Sequence, residues 1–317
     1  MVEQPSQVQL DEASTFLVQR FGAEVSDVEH VGEGAWSRCF GFTLNGSELV
    51  IRFGRHVDDF QRDRLAARFA ARDLPIPQVI EIDRAADEWY CISTRSRGTP
   101  LEQLDASDWQ ATVPAVLATL DALRRTDIST TSGYGSWNDE GTAAYATWVG
   151  YLASVMDDSP DSRTHGWKRR LVDSSLGDES FCRAFDLMVE LAATFRVGRH
   201  LVHNDLLNRN VLASQGQITA VFDWGCSIYG DFLYELATIV FWAPWHPAIE
   251  QRDFLSVSLE HYRDMGVELP DLDARLRCCL LHIGLVHLAY NAFLGDGETL
   301  RATDRRMGRF VDAAFFR

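Results

Sequence analysis

Lysine is nearly missing from this chain: Lys168 is the only one among the 30 basic residues of its 317. A site that needs a fixed cation must therefore draw on arginine. Positive charge as a whole is in short supply, because 46 acidic residues leave a formal net charge of −16. That balance argues against nucleic acid or an anionic membrane as partner and permits a cationic one, although a solvated acidic surface has the same composition. Up to Arg97 there are 11 basic and 16 acidic residues, net −5; the remainder, with 19 and 30, carries −11. No run approaches the ~20 apolar residues of a membrane span, and Met-Val-Glu-Gln-Pro-Ser has neither the basic start nor the apolar core of a signal peptide. A soluble cytoplasmic monomer is expected. The six cysteines form no C-x-x-C pair and mostly sit in apolar runs, so no disulfides are expected. Internal repeats and low-complexity tracts are also lacking.

What is present centres on His200 to Gly225. His203, Asp205 and Asn210 form H-x-D-x-x-x-x-N, and two short apolar runs split by Gln215-Gly216 predict a hairpin that delivers Asp223 at its end, followed by Trp224-Gly225. The order and spacing match the catalytic loop and D-F-G turn of phosphoryl-transfer kinases, with Trp in place of Phe. Such chemistry needs positioning and charge neutralisation: a carboxylate at the attacking hydroxyl, for which Asp205 serves, and hard oxygens for magnesium, for which Asn210 and Asp223 serve. His203 is then structural. Each piece alone is commonplace in loops and hairpins; the ordered combination points to an ATP-dependent kinase.

The rest of the chain supplies a setting. At 317 residues two lobes are expected. A leading amphipathic helix over Ser6–Phe21 precedes three strands, 28–31, 38–44 and 48–53, the last two joined by Asn45-Gly46. Gly32-Glu33-Gly34-Ala35-Trp36-Ser37 lies at the first turn, where Gly32, Gly34 and the Ser37 hydroxyl are candidates for nucleotide phosphates; an ordinary hairpin is the plainer alternative. Arg52 occupies the third-strand place of the kinase lysine, with a fork able to grip phosphate, or else is a solvent-facing strand residue. A helix over 57–72 offers Asp58, Asp59 and Asp63 to pair with Arg52, and Asp63, nearest mid-helix, is favoured. Strands at 78–82 and 89–93 complete a five-stranded lobe. Thr94–Pro100 is the expected interlobe hinge, with adenine against its backbone and Ser93 and Arg95 as nucleotide contacts. That divides the chain into a nucleotide-binding lobe, 1–97, and a catalytic and substrate-binding lobe, 98–317. Helices are expected over 109–124, 143–156, 181–195, 231–241, 251–265, 272–293 and 300–315, with a mobile loop at 157–163. Cys278, Cys279, His282 and His287 share one helix but read as core because leucine and isoleucine surround them.

Gly32 to Ser37, His203 to Asn210, Asp223 and Gly230-Asp231-x-x-x-Glu235, in that order, resemble the aminoglycoside phosphotransferase family over nearly the whole chain. Val50-Ile51-Arg52, Leu74-Pro75-Ile76-Pro77, Thr131-Ser132-Gly133-Tyr134-Gly135, Ile218-Thr219-Ala220-Val221 and Phe241-Trp242-Ala243-Pro244-Trp245 are similar to the branch acting on hygromycin-like aminocyclitols. The resemblance implies an α+β, two-lobed, protein-kinase-like fold: a five-stranded antiparallel sheet with a helix, then a larger, mainly helical lobe. It implies ATP or GTP as donor, magnesium, and a hydroxyl of a cationic antibiotic as acceptor, with Asp205 as base and Asn210 and Asp223 on the metal. Arg52 departs from the family lysine. Asp231, Glu235, Asp139 and Trp242 are the candidate acceptor contacts, with core packing as the alternative for Trp242 and helix capping or loop bracing for the Gly230-Asp231 region. Kinases of macrolides, choline or homoserine share the core motifs, and a pseudokinase lacking the lysine is the reading from another class.

Overall fold

The computed structural model describes residues 7–34, 36–250 and 253–311, and within them two hydrophobic cores form two lobes. The first opens with α1 (Gln7–Phe21), then β1 (Val25–Glu33), β2 (Ser37–Leu44), β3 (Ser47–Gly54), α2 (Val57–Ala66), β4 (Val79–Ala85) and β5 (Glu88–Thr94). The five strands form one antiparallel sheet in the order β1-β2-β3-β5-β4. Asn45 and Gly46, at φ 51° and 79°, make the two-residue turn demanded by the pairing of Leu44 with Ser47. Alternation along β3 then does the decisive work. Leu49, Ile51 and Phe53 enter the core with Leu17 of α1, Phe40 and Phe42, which turns Val50 and Arg52 to the opposite face, toward the second lobe.

The chain crosses at β6 (Thr99–Pro100), which pairs with Leu212 and Ala213 farther along the chain. There follow α3 (Ala106–Arg125), β7 (Tyr134–Trp137), β8 (Ala143–Tyr145), α4 (Trp148–Ala153), α5 (Trp167–Val172), α6 (Glu179–Ala192), β9 (His200–Val202), β10 (Val211–Ser214), β11 (Gln217–Val221), β12 (Ile228–Gly230), α7 (Leu233–Trp242), α8 (Pro247–Glu250), α9 (Phe254–Asp264), α10 (Leu272–Leu294) and α11 (Gly297–Val311). The expected Gln215-Gly216 hairpin is there, at φ 52° and 72° between β10 and β11.

Two stretches differ from the sequence reading. Residues 143–156 are not one helix: Ala143–Tyr145 pairs with β7, and α4 starts only after Thr147, whose hydroxyl accepts the Gly150 N–H at 3.1 Å. The helix expected to reach residue 72 stops at Ala66 in a 3₁₀ turn, because Ala70 is extended and Ala71 and Leu74 bond each other's backbones. In the 157–163 loop the Asp158 carboxylate accepts from the Gly166 N–H at 2.7 Å. The ends of the helices expected at 251 and 315 fall outside the described residues.

Among the described residues α10 alone has the length and hydropathy to cross a bilayer, and 72% of its apolar 18-residue window is buried inside the protein. It runs through the second core against α5, α6, α7 and α11. His282 belongs to that packing, whereas His287, also expected in the core, is only half-buried. His282 Nδ1 lies 2.7 Å from the Tyr234 hydroxyl, and burial pulls His282 and His287 down to about 3 and about 4, so both are neutral. All six cysteines are free.

Candidate active site

A cleft of about 1310 Å³ separates the lobes. Its roof holds Gly32, Gly34, Ser37, Arg52, Ser93 and Arg95, and its floor Asp205, Asn208, Asn210 and Asp223. The sequence-predicted nucleotide and metal residues thus meet in one place. The glycine turn is closed by Gly34 N–H donating to the Ser37 carbonyl at 2.9 Å, while Ala35 lies outside the described residues. A Cβ at Gly32 or Gly34 would meet nothing within 4 Å, so packing does not explain these glycines and a close-approaching ligand would.

Apart from Asp223, which follows β11, the floor is a loop between β9 and β10 that turns twice through left-handed backbone, at Asn204 (φ 70°) and Arg209 (φ 61°). Buried groups hold it from behind. His203 Nε2 is 3.0 Å from the Phe222 carbonyl, so that nitrogen carries the proton and Nδ1 accepts the Asp205 N–H at 3.3 Å. Burial pulls His203 to about 4, and it stays neutral in this role. The Glu235 carboxylate accepts the N–H groups of His203 (2.6 Å) and Asn204 (3.1 Å). Burial lifts Glu235 to about 7 although those two N–H groups oppose the rise. Asp205 accepts from Asn208 Nδ2 at 3.2 Å and Asn210 Nδ2 at 3.0 Å, and Asn210 also donates to the Asp205 carbonyl at 2.8 Å. With its NH₂ so engaged, Asn210 offers Oδ1 to the cleft. Burial raises the Asp205 carboxyl to about 7; the Asn208 and Asn210 amides work against the rise and nearby Asp223 adds to it.

Asp63 connects the roof to this floor. It is ion-paired with Arg52, while its other oxygen accepts the Trp224 N–H at 2.8 Å, next to the left-handed Asp223 (φ 63°). Burial, the largest single influence, would depress Arg52, but Asp223, Cys91 and Cys39 together outweigh it, so its pKa is raised and the guanidinium stays charged.

The proposed acceptor contacts fare differently. Asp231 is fully buried, gripped by Arg275 at 2.7 and 2.9 Å, and caps the start of α7 through the Leu233 N–H. Glu235 is buried behind the catalytic loop. Asp139 is exposed, in the turn between β7 and β8, away from the cleft. Trp242 packs edge-on to His287 at 4.5 Å, one layer behind the cleft wall. None of the four lines the cleft. That wall instead comes from Ile283, Val286, His287 and Tyr290 on one face of α10, from Tyr234 and Thr238 of α7, and from Asp157. Helical spacing of 283, 286, 287 and 290 was readable, but α10 is apolar on nearly every side, so nothing in it singled out this face.

A two-lobed fold with a cleft-floor carboxylate, a neighbouring asparagine and a second aspartate at a tight turn defines a kinase-like phosphotransferase. The comparisons agree: the model described as "Phosphotransferase enzyme family" matches residues 28–267, and the chain belongs to that family. Hygromycin-B 4-O-kinase of Escherichia coli is 34% identical over 275 residues, covering 86% of this chain and 76% of that one. A crystal structure of a thermostable mutant of aminoglycoside phosphotransferase APH(4)-Ia, in ternary complex with AMP-PNP and hygromycin B, superposes with a TM-score of 0.81 at 34% identity over 94% of this chain and 97% of that chain. Another structure of APH(4)-Ia gives 0.82 at 32% identity, over 95% and 98%.

Proposed function

We propose that this phosphotransferase moves the terminal phosphoryl group of ATP to a hydroxyl of a hygromycin-like aminocyclitol in the cytoplasm, conferring resistance. Residues 1–97 form the nucleotide-binding lobe and 98–317 the catalytic and acceptor-binding lobe. The observation carrying the reading is Asp205 on the cleft floor, bonded to Asn208 and Asn210, in a chain with a hygromycin-B kinase as a 34% identical relative. Asp205 takes the acceptor proton. Asn210 Oδ1 and Asp223 are hard oxygen donors suited to magnesium, which when bound neutralises phosphate charge. Gly32, Gly34 and Ser37 cover the phosphates, and Ser93 and Arg95 border the base. For the acceptor, Asp157 and Tyr290 replace the carboxylates expected from sequence, offering one anion and one aromatic ring to a cationic sugar.

Phosphate transfer from labelled ATP across hygromycin B, kanamycin, streptomycin, a macrolide, choline and homoserine, read by mass spectrometry, tests this. An adduct on hygromycin B is expected. Transfer confined to choline or homoserine would replace the antibiotic reading with a metabolite kinase, and transfer to none with a nucleotide-binding pseudokinase.

Arg52 stands in for lysine on the donor phosphates. Arg52→Ala should raise the KM for ATP by ~10-fold or more while changing the acceptor KM little, since it removes a charged phosphate contact and frees Asp63. Equal effects on both substrates would mean that Arg52 only supports the fold.

A further inference from the structure

Helix α2 joins the nucleotide grip to the Asp223 turn through Asp63, yet it is ten residues long and its first turn is held largely from the other lobe. Arg163, in the connection between α4 and α5, places Nη1 2.9 Å from Asp59 Oδ2 and Nη2 3.2 Å from Asp59 Oδ1 and 2.7 Å from Asp58 Oδ2. Its guanidinium also lies 5.8 Å from the Trp36 ring centroid, beside the glycine turn. One arginine thus grips Asp59 bidentately and Asp58 through a single bond across the mouth of the cleft.

The arm bearing Arg163 is itself anchored. Asp158 accepts from Gly166 and Lys168 N–H groups at 2.7 and 3.3 Å, and the buried Trp167 donates Nε1–H to the Asp157 carbonyl at 3.1 Å. On the helix side, Asp59 Oδ1 lies 3.0 Å from where a Cβ on Gly225 would be, so this carboxylate rests on the backbone of the Asp223 turn. Farther along the helix, Arg62 donates to the Gly225 carbonyl. The contacts run in one line from this hydrogen-bonded arm of the second lobe, through the first turn of α2, to Asp63 and Arg52.

We infer that Arg163 is a positioning residue for the nucleotide: its clasp on Asp58 and Asp59 holds α2 at the separation where Arg52 and Asp63 sit over Asp223. The three side chains are partly exposed, so the clasp contributes little to global stability. Its effect lies in alignment, where displacements near 1 Å are costly to a charged site. The inference rests on the phosphotransferase reading. Its test therefore measures nucleotide affinity directly, and an incorrect acceptor would leave the result untouched.

The experiment titrates full-length protein with a fluorescent N-methylanthraniloyl ATP and magnesium. It compares wild type, Arg163→Ala, Asp58→Asn/Asp59→Asn, and the three substitutions combined. Arg163→Ala and the Asp58→Asn/Asp59→Asn variant should each weaken binding ~10-fold, and the combination should be no weaker than either, because all remove one clasp. Melting temperatures should stay within about 4 °C of wild type, and the acceptor KM should not move. Wild-type affinity in Arg163→Ala, or a combined loss equal to the product of the separate losses, overturns the inference.

Discussion

Asp205→Ala is expected to lower kcat by ~10²–10⁴-fold while leaving ATP affinity within a few-fold of wild type, the pattern of a lost general base rather than a lost binding group. The carboxylate sits on the cleft floor, bonded to two asparagine amides, and burial has lifted it to about 7. Only its ionised form accepts a proton, so wild-type kcat/KM, which reports the free enzyme, should rise with pH through about 7. The residual rate of Asp205→Ala should lack that rise. Steady-state kinetics across pH 5.5–8.5 make both checks, and a variant within about three-fold of wild type removes Asp205 from the mechanism.

The same shift has a consequence for stability. An unfolded aspartate loses its proton near ~4, whereas the folded Asp205 keeps it to about 7. Stability from the retained proton is complete below the unfolded value and is lost as pH rises through the folded one. Above that window the fold carries a half-buried anion that Asp205→Asn does not, so this variant should melt higher than wild type at pH 8. A tuned catalytic group is then also a local liability.

The second large effect is expected at Arg275→Ala, which should destabilise the fold by ~3–5 kcal/mol in denaturant unfolding, because it strands a buried carboxylate. Asp231 is fully buried and Arg275 nearly so, and two charge-assisted bonds join them across 44 residues of sequence. Without the guanidinium, Asp231 keeps only the Leu233 N–H. Activity should fall too, since Asp231 fixes the start of the helix whose Glu235 holds the His203 and Asn204 backbone. Replacing both partners together, as Arg275→Met with Asp231→Leu, should recover much of the stability, because an apolar pair carries no desolvation penalty. A loss below about 1 kcal/mol in Arg275→Ala would mean the pair is not a structural anchor.

Those two acidic residues mark where reading from sequence went astray. In Gly230-Asp231-x-x-x-Glu235 helix capping or bracing of the catalytic loop was considered for Asp231, but charge and proximity in the chain suggested that both carboxylates faced a cationic substrate. Both point inward, and Glu235 does from behind the loop what Asp231 was equally expected to do. Asp139 was chosen for its charge in an insertion and stands exposed outside the cleft, while Asp157, in a stretch expected to be mobile, lines it. The helix expected over 143–156 failed for a related reason. Its first three residues pair with a strand that local periodicity could not reveal.

The sequence by itself determined the chemistry and its local frame. H-x-D-x-x-x-x-N, the Gln215-Gly216 hairpin and Asp223 are set by short-range spacing and turn preference, and strict alternation in Leu49-Val50-Ile51-Arg52-Phe53 commits Arg52 to the face away from the core. Only the tertiary structure decided which carboxylates meet solvent, which face of α10 walls the cleft, and that Arg163 reaches Asp59 across 104 residues. Backbone geometry acts over a few residues and leaves its mark in local pattern. Burial and ion pairing depend on which surfaces pack together, and no short stretch of the chain records that.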